Sequence, residues 1–192
     1  AIGTDTIKVT DEKGCCKSAT VTVLEPPLLA IGSMSQDSVS CNGLSDGTAT
    51  ANNITGGTGS YSYLWDANSG SQTTNPATGL GIGTYTITVT DQNGCQVSDN
   101  VTVLEPPLLA IGSMSQDSVS CNGLFDGAAT ANNITGGTGS YSYLWDASSG
   151  SQTTNPATGL GIGTYTITVT DAKGCQVSDN VTVLEPPLLA IG

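Results

Sequence analysis

Residues 81–95 read GIGTYTITVTDQNGC, and this stretch decides the fold. Tyr85, Ile87 and Val89 alternate with Thr84, Thr86, Thr88 and Thr90. A period of two carried by β-branched and aromatic side chains is that of a strand with one buried face. Asp91-Gln92-Asn93-Gly94 then supplies residues that tolerate left-handed backbone, the signature of a tight turn. Cys95 opens the returning strand. The stretch recurs at residues 161–175 as GIGTYTITVTDAKGC, and residues 1–15, AIGTDTIKVTDEKGC, are a looser third copy.

Aligning the copies gives a period of 80 residues. Residues 33–112 and 113–192 differ only at Ser45/Phe125, Thr48/Ala128, Asn68/Ser148, Gln92/Ala172 and Asn93/Lys173. Solenoid units usually repeat at about 20–50 residues, so a longer period marks a whole domain. The expected organisation is the tail of one repeat (1–27), full repeats at 28–107 and 108–187, and the start of another at 188–192. Such a chain is expected to be cut from something longer.

Within one repeat the pattern predicts an opening strand at 28–31 and strand segments at 38–41, 48–54 and 61–66. A mainly polar loop with one short edge strand follows at 68–78, then the hairpin whose second arm runs from Cys95 to Val103. Ala49, Ala51 and Asn53 are expected inward. Short strands at 8–12-residue intervals between Gly and Asn turns indicate a β-sandwich. The run Leu80-x-x-Gly83-x-Tyr85 looks like a tyrosine corner, in which a Tyr hydroxyl ties back to nearby backbone. Trp65 is expected as the core aromatic of the opposing sheet, with sugar stacking the lesser alternative for these aromatics.

Composition excludes several functions. The net charge is −12 with no His, and residues 33–112 contain no cation at all. Nucleic acid and anionic lipid are poor partners for such a surface. The longest apolar run, Leu28–Ile31 and its copies, falls far short of the roughly 20 residues that cross a bilayer, so no membrane insertion is expected. Six cysteines stand at 15, 16, 41, 95, 121 and 175. Without CxxC pairs or His, zinc is a poor fit, and one disulfide per domain in an oxidising compartment fits better. The expected pairs are Cys41 with Cys95 and Cys121 with Cys175. Cys15 would pair with a cysteine preceding residue 1, leaving Cys16 surplus.

The series Cys41-Asn42-Gly43, Asp46-Gly47, Gly56-Gly57-Thr58-Gly59-x-Tyr61-x-Tyr63-x-Trp65, Gly79-Leu80-x-x-Gly83-Thr84-Tyr85, Val89-Thr90-Asp91-x-x-Gly94-Cys95 and Glu105-Pro106-Pro107 resembles the SprB repeat. That family occurs in giant surface adhesins of gliding Bacteroidetes and is similar to PKD and other immunoglobulin-like modules. The resemblance implies tandem immunoglobulin-like β-sandwiches in a linear array, type IX secretion, and display outside a bacterial cell as filaments that grip a surface. In residues 1–27, Asp5 stands where Tyr85 does and Cys16 where Gln96 does, which leaves that copy without a tyrosine corner.

No enzyme is expected. Acid–base work would fall to carboxylates alone, namely Asp37, Asp46, Asp66, Asp91, Asp99 and Glu105, which turns and strand ends explain without chemistry. No cofactor is expected; calcium is the alternative, with Asn42 and Asp46 as its hard oxygen ligands. Asp37-Ser38-Val39 and Asp117-Ser118-Val119 resemble the Asp-Ser-apolar O-glycosylation motif of the same bacteria, against the plain reading of Ser in a β segment. Two functions from different classes remain. One is a semi-rigid stalk whose partners are its neighbouring repeats. The other is a multivalent module in which every repeat binds a polysaccharide or external surface.

Overall fold

The alternation at the hairpin folds as its period requires. The computed structural model describes residues 2–190, so Ala1, Ile191 and Gly192, which fall in the segments expected at 1–27 and 188–192, lie outside the described residues. The strands in chain order are β1 (Gly3–Thr10), β2 (Cys16–Val23), β3 (Ser33–Asp37), β4 (Gly47–Asn52), β5 (Ser62–Trp65), β6 (Ala77–Leu80), β7 (Gly83–Thr90) and β8 (Gln96–Val103). The same order recurs as β9 (Ser113–Asp117), β10 (Gly127–Asn132), β11 (Ser142–Trp145), β12 (Ala157–Leu160), β13 (Gly163–Thr170) and β14 (Gln176–Val183). One-turn 3₁₀ helices at Ala67–Ser69 and Ala147–Ser149 are the helices among the described residues, and none is long and apolar enough to cross a membrane. The chain is all-β.

Each set of six strands makes two three-stranded sheets, β3-β4-β6 with β5-β7-β8, and β9-β10-β12 with β11-β13-β14. Two compact units result: residues up to 35 with 50–77 and 85–101, and residues 36–49 and 78–84 with everything from 102.

The second unit holds β9 to β14 entire. Its core joins Val119, Ala129, Ala131, Ala157 and Leu160 with Trp145, Tyr165, Ile167, Val169 and Val183. Three alanines on the first sheet make room for the indole of Trp145, 1% exposed, whose Nε1–H donates to the Thr154 carbonyl at 3.0 Å. Small against large across the gap is how two sheets reach native packing density. Tyr165 is buried, and its hydroxyl donates to the Gly161 carbonyl four residues upstream at 3.1 Å, closing the expected tyrosine corner. On the outer face, threonine pairs bond across β13 and β14, as Thr164 Oγ1 does with Thr182 Oγ1 at 2.9 Å.

The first unit buries Leu29, Ala51, Trp65, Ala77, Tyr85, Ile87 and Val89. Trp65 donates to the Thr74 carbonyl at 2.9 Å, so its expected core position holds. The hairpin β1-β2, also in this unit, pairs in register from Gly3↔Val23 to Thr10↔Cys16 and is exposed along both strands, Ile7 and Val21 included.

Three expectations are corrected. Residues 28–31 form no strand: pairing is confined to a lone bridge between Ala30 and Thr55, on either side of which Asn53 (φ 51°) and Gly56 (φ 75°) turn the facing backbone out of extended form. The strand expected at 38–41 lies earlier, at Ser33–Asp37. Ser40 is drawn out of the ladder by Asp46, whose carboxylate accepts from its N–H at 2.9 Å and its hydroxyl at 2.5 Å. Asn53 points outward rather than in, at φ 51°, where β4 ends.

Asn155 is a structural residue that the alternation does not reveal. Past Ala129, β10 has outrun its partner β12. The Asn155 amide stands in for that missing strand, accepting from the Ala131 N–H at 3.0 Å and donating to its carbonyl at 2.8 Å. Asn75 does the same for Ala51. Asn155→Ala leaves both backbone groups without these partners and is expected to cost about 2 kcal/mol, read from the urea midpoint at unchanged slope.

Candidate functional site

Three segments of the second unit meet where one repeat follows another: the loop after β3, the crossing 104–109, and the β13–β14 turn. The first is fixed to the crossing by three bonds. The Val39 N–H donates to the Leu104 carbonyl at 3.0 Å, the Gly43 N–H to Glu105 Oε2 at 3.0 Å, and Asn42 Nδ2 to the Pro106 carbonyl at 3.1 Å.

The crossing is fixed in turn to the loop between β10 and β11. The Gly137 N–H donates to the Pro107 carbonyl at 2.8 Å, and Leu109 is buried. Gly136 sits at φ +75°, and a Cβ there would stand 1.9 Å from the Leu108 carbonyl oxygen, so no other residue fits.

Asp171 joins that loop to the turn. Its Oδ2 accepts from the Thr138 N–H at 2.7 Å, and its Oδ1 from Lys173 at 2.8 Å and Cys175 at 2.9 Å. Burial, the largest influence, pushes the carboxyl pKa up, but the donors of Thr138, Cys175, Lys173 and Gly174 together hold it below its ordinary 3.8. Asp91 sits in the same cradle, accepting from Thr58, Asn93 and Cys95, with the same net direction.

These connections bring Cys175 to Cys41. The two form a disulfide with Cα atoms 5.6 Å apart across 134 residues of sequence, and Cys175 Sγ lies 3.3 Å from the Ser40 carbonyl oxygen. The expected pairing within each repeat is therefore corrected. The reason is strand length. The Val119 and Gly123 N–H groups hold the Cys121 loop to Leu184 and Glu185, just past the far end of β14. Cys175 lies just before β14 begins, so the strand's 8 residues stand between them. At about 3.3 Å per residue that exceeds what a disulfide can bridge. Cys41 is held in the same way at Leu104, and Cys95 precedes β8 as Cys175 precedes β14. Cys15, Cys16, Cys95 and Cys121 are free and exposed. Nothing in the sequence separates a pair 54 apart from one 54 plus a period apart, so the register was not readable there.

The other candidates are occupied by turns. Asn42 serves the crossing, and both oxygens of Asp46 bind Ser40, which lowers the Asp46 carboxyl pKa, helped by the charge of Lys173. Asp37 accepts from Thr48, and Asp66 both caps its 3₁₀ helix and accepts from the Thr86 N–H at 2.8 Å. Among the described residues no three His, Cys, Asp or Glu side chains are grouped to hold a metal. Ser38 and Ser118 are exposed just past the ends of β3 and β9, their hydroxyls donating weakly to Gln36 and Gln116.

The SprB repeat family model matches residues 33–70 and 113–150, which run from β3 and β9 through the cysteine loop and the Trp strand to the 3₁₀ helix. At these two places the chain is similar to the SprB repeat. No curated protein matches it. The SprB repeat is a structural repeat, and the bond found here ties Cys41, in the first matched stretch, to a cysteine 134 positions on.

Two outcomes are expected. Peptide mapping without reduction should recover Cys41 joined to Cys175, and not Cys41 to Cys95. Cys41→Ser and Cys175→Ser should each destabilise the fold, by about 5 kcal/mol in the chain-entropy account of so long a loop, and the double substitution should be no worse than either. The acid response follows from Asp91 and Asp171. Their folded pKa values lie below the unfolded 3.8, so the unfolded state binds protons first. Their stabilisation is present above 3.8 and fades as pH falls from there through the lowered folded values. Asp171→Asn should flatten that slope in a series of urea melts.

Proposed function

We propose that this chain is a stalk segment of a long bacterial surface adhesin, exported and displayed as a filament, with surface attachment and gliding as its use. The SprB match supports the class, and the covalent tie at the repeat crossing supports the stalk role. A stalk must transmit load from one domain to the next without a free hinge. Here the crossing has two prolines, bonds on both sides and a disulfide beside it. Its surface carries acids almost without counter-charge, which keeps neighbouring filaments apart. The repeats are proposed to span 28–107 and 108–187 and to fold without a metal.

A ligand site on every repeat is the second reading. Phe125, 75% exposed and packed over Gly161, is the side chain that would favour it. Ser45 replaces it in the other copy, so the feature is not repeated as multivalent binding requires.

Small-angle scattering on tandem chains of two, four and six repeats tests the stalk. Maximum dimension should grow linearly, by on the order of 35–45 Å per repeat; growth near the square root of repeat number would mean flexible beads and end the proposal. Thermal melts should keep the same midpoint with and without EDTA.

A further inference from the structure

The face around Cys121 repeats the face around Cys41. Ser120 Oγ and N–H bind Asp126 as Ser40 binds Asp46, at 2.5 and 2.9 Å. Asn122 Nδ2 donates to the Pro186 carbonyl at 3.4 Å, and the Gly123 N–H to Glu185 at 3.2 Å, as Asn42 and Gly43 do with Pro106 and Glu105. Beyond these bonds the two faces differ in what covers them. Cys41 is bonded and Leu109 is 6% exposed; Cys121 is free and Leu189 is 92% exposed. Cys121 and Leu189 line one open groove with Pro186, Pro187 and Leu188.

The complementary half is also present. Cys95 and Gln96 line a groove with Gly57, Pro27 and Leu28 in the first unit. Around Cys175 the same positions, Gly137, Pro107, Leu108 and Gln176, line the completed junction together with Cys41. One formed joint and its two separate halves thus stand on one chain, continuous in sequence pattern with each other.

From this we infer that the tie between Cys41 and Cys175 is one rung of a ladder, and that the Cys121 face is a docking surface for a further repeat of this type following in tandem. The occupant lays its glycine loop over Pro187 and Leu188, as Gly136 lies against Leu108 and Gly137 bonds Pro107, and brings its hairpin cysteine to Cys121. The bond forms by thiol–disulfide exchange with a small disulfide oxidant. Each cysteine gives up its thiol proton, the two sulfurs join, and the two electrons reduce the oxidant to two thiols. Each repeat is then stapled to its successor and never closed on itself. This inference concerns assembly and does not depend on where the filament is displayed.

The test adds one more copy of residues 113–192 to the intact chain and refolds both chains in oxidised and reduced glutathione. The present chain has six cysteines and one bond, leaving four thiols titratable after denaturation. The extended chain should also show four despite two added cysteines, with Cys121 mapped to the cysteine 134 residues further on. Six thiols, or Cys121 linked to Cys95 or to the hairpin cysteine of its own repeat, overturns the ladder. Cys121→Ser in the extended chain should remove the new bond and leave Cys41–Cys175 in place, which separates failure of docking from failure to fold. In the present chain, native alkylation should label Cys95 and Cys121 while sparing Cys41 and Cys175.

Discussion

A carboxylate held by backbone amides organises the crossing. Asp171 is 5% exposed, and its two oxygens collect N–H groups from the glycine loop and from the turn that carries Cys175. A buried charge is stable only when so satisfied, and each donor it gathers is a backbone group whose position is thereby set. The loop so placed presents the Gly137 N–H to Pro107, and the proline crossing meets the Cys41 loop through Glu105 and Pro106. The disulfide is the last contact in that series. Three sets of hydrogen bonds hold the segments that carry its two sulfurs.

The sandwich core obeys a different logic. It has few large side chains, so one indole and three alanines carry the fit between sheets. The polar strands contribute bonds on the outer face instead, through paired threonines and through asparagine amides that complete an unfinished ladder. A composition rich in Thr, Ala and Gly is thus compatible with a specific fold because little of the chain is left unpartnered.

Much of this could be read from residues alone. The alternation of Tyr85, Ile87 and Val89, the turn at Asp91, the buried Trp65 and the corner made by Tyr165 all express local rules of period and geometry. The cysteine partners could not be read so, because each candidate pair satisfies the same counting. Which one forms depends on which end of an eight-residue strand each cysteine occupies. Asn155 was hidden for the same reason: a side chain completing a β ladder looks like any loop polar residue until the strand beside it stops short. Ser38 to Cys41 alternate as a strand does, yet Asp46 takes Ser40 out of the ladder.

The tie between Cys41 and Cys175 also changes what it takes to sever the chain. The bond bridges 134 positions, so a proteolytic nick anywhere between them leaves the two pieces covalently one molecule. A pull on the two ends likewise runs through sulfur and bypasses the polypeptide in between. That hidden length, roughly 450 Å when drawn straight, stays outside the load path even if the strands within it come apart. A chain tied this way can be cut once between the two cysteines and still carry load from end to end.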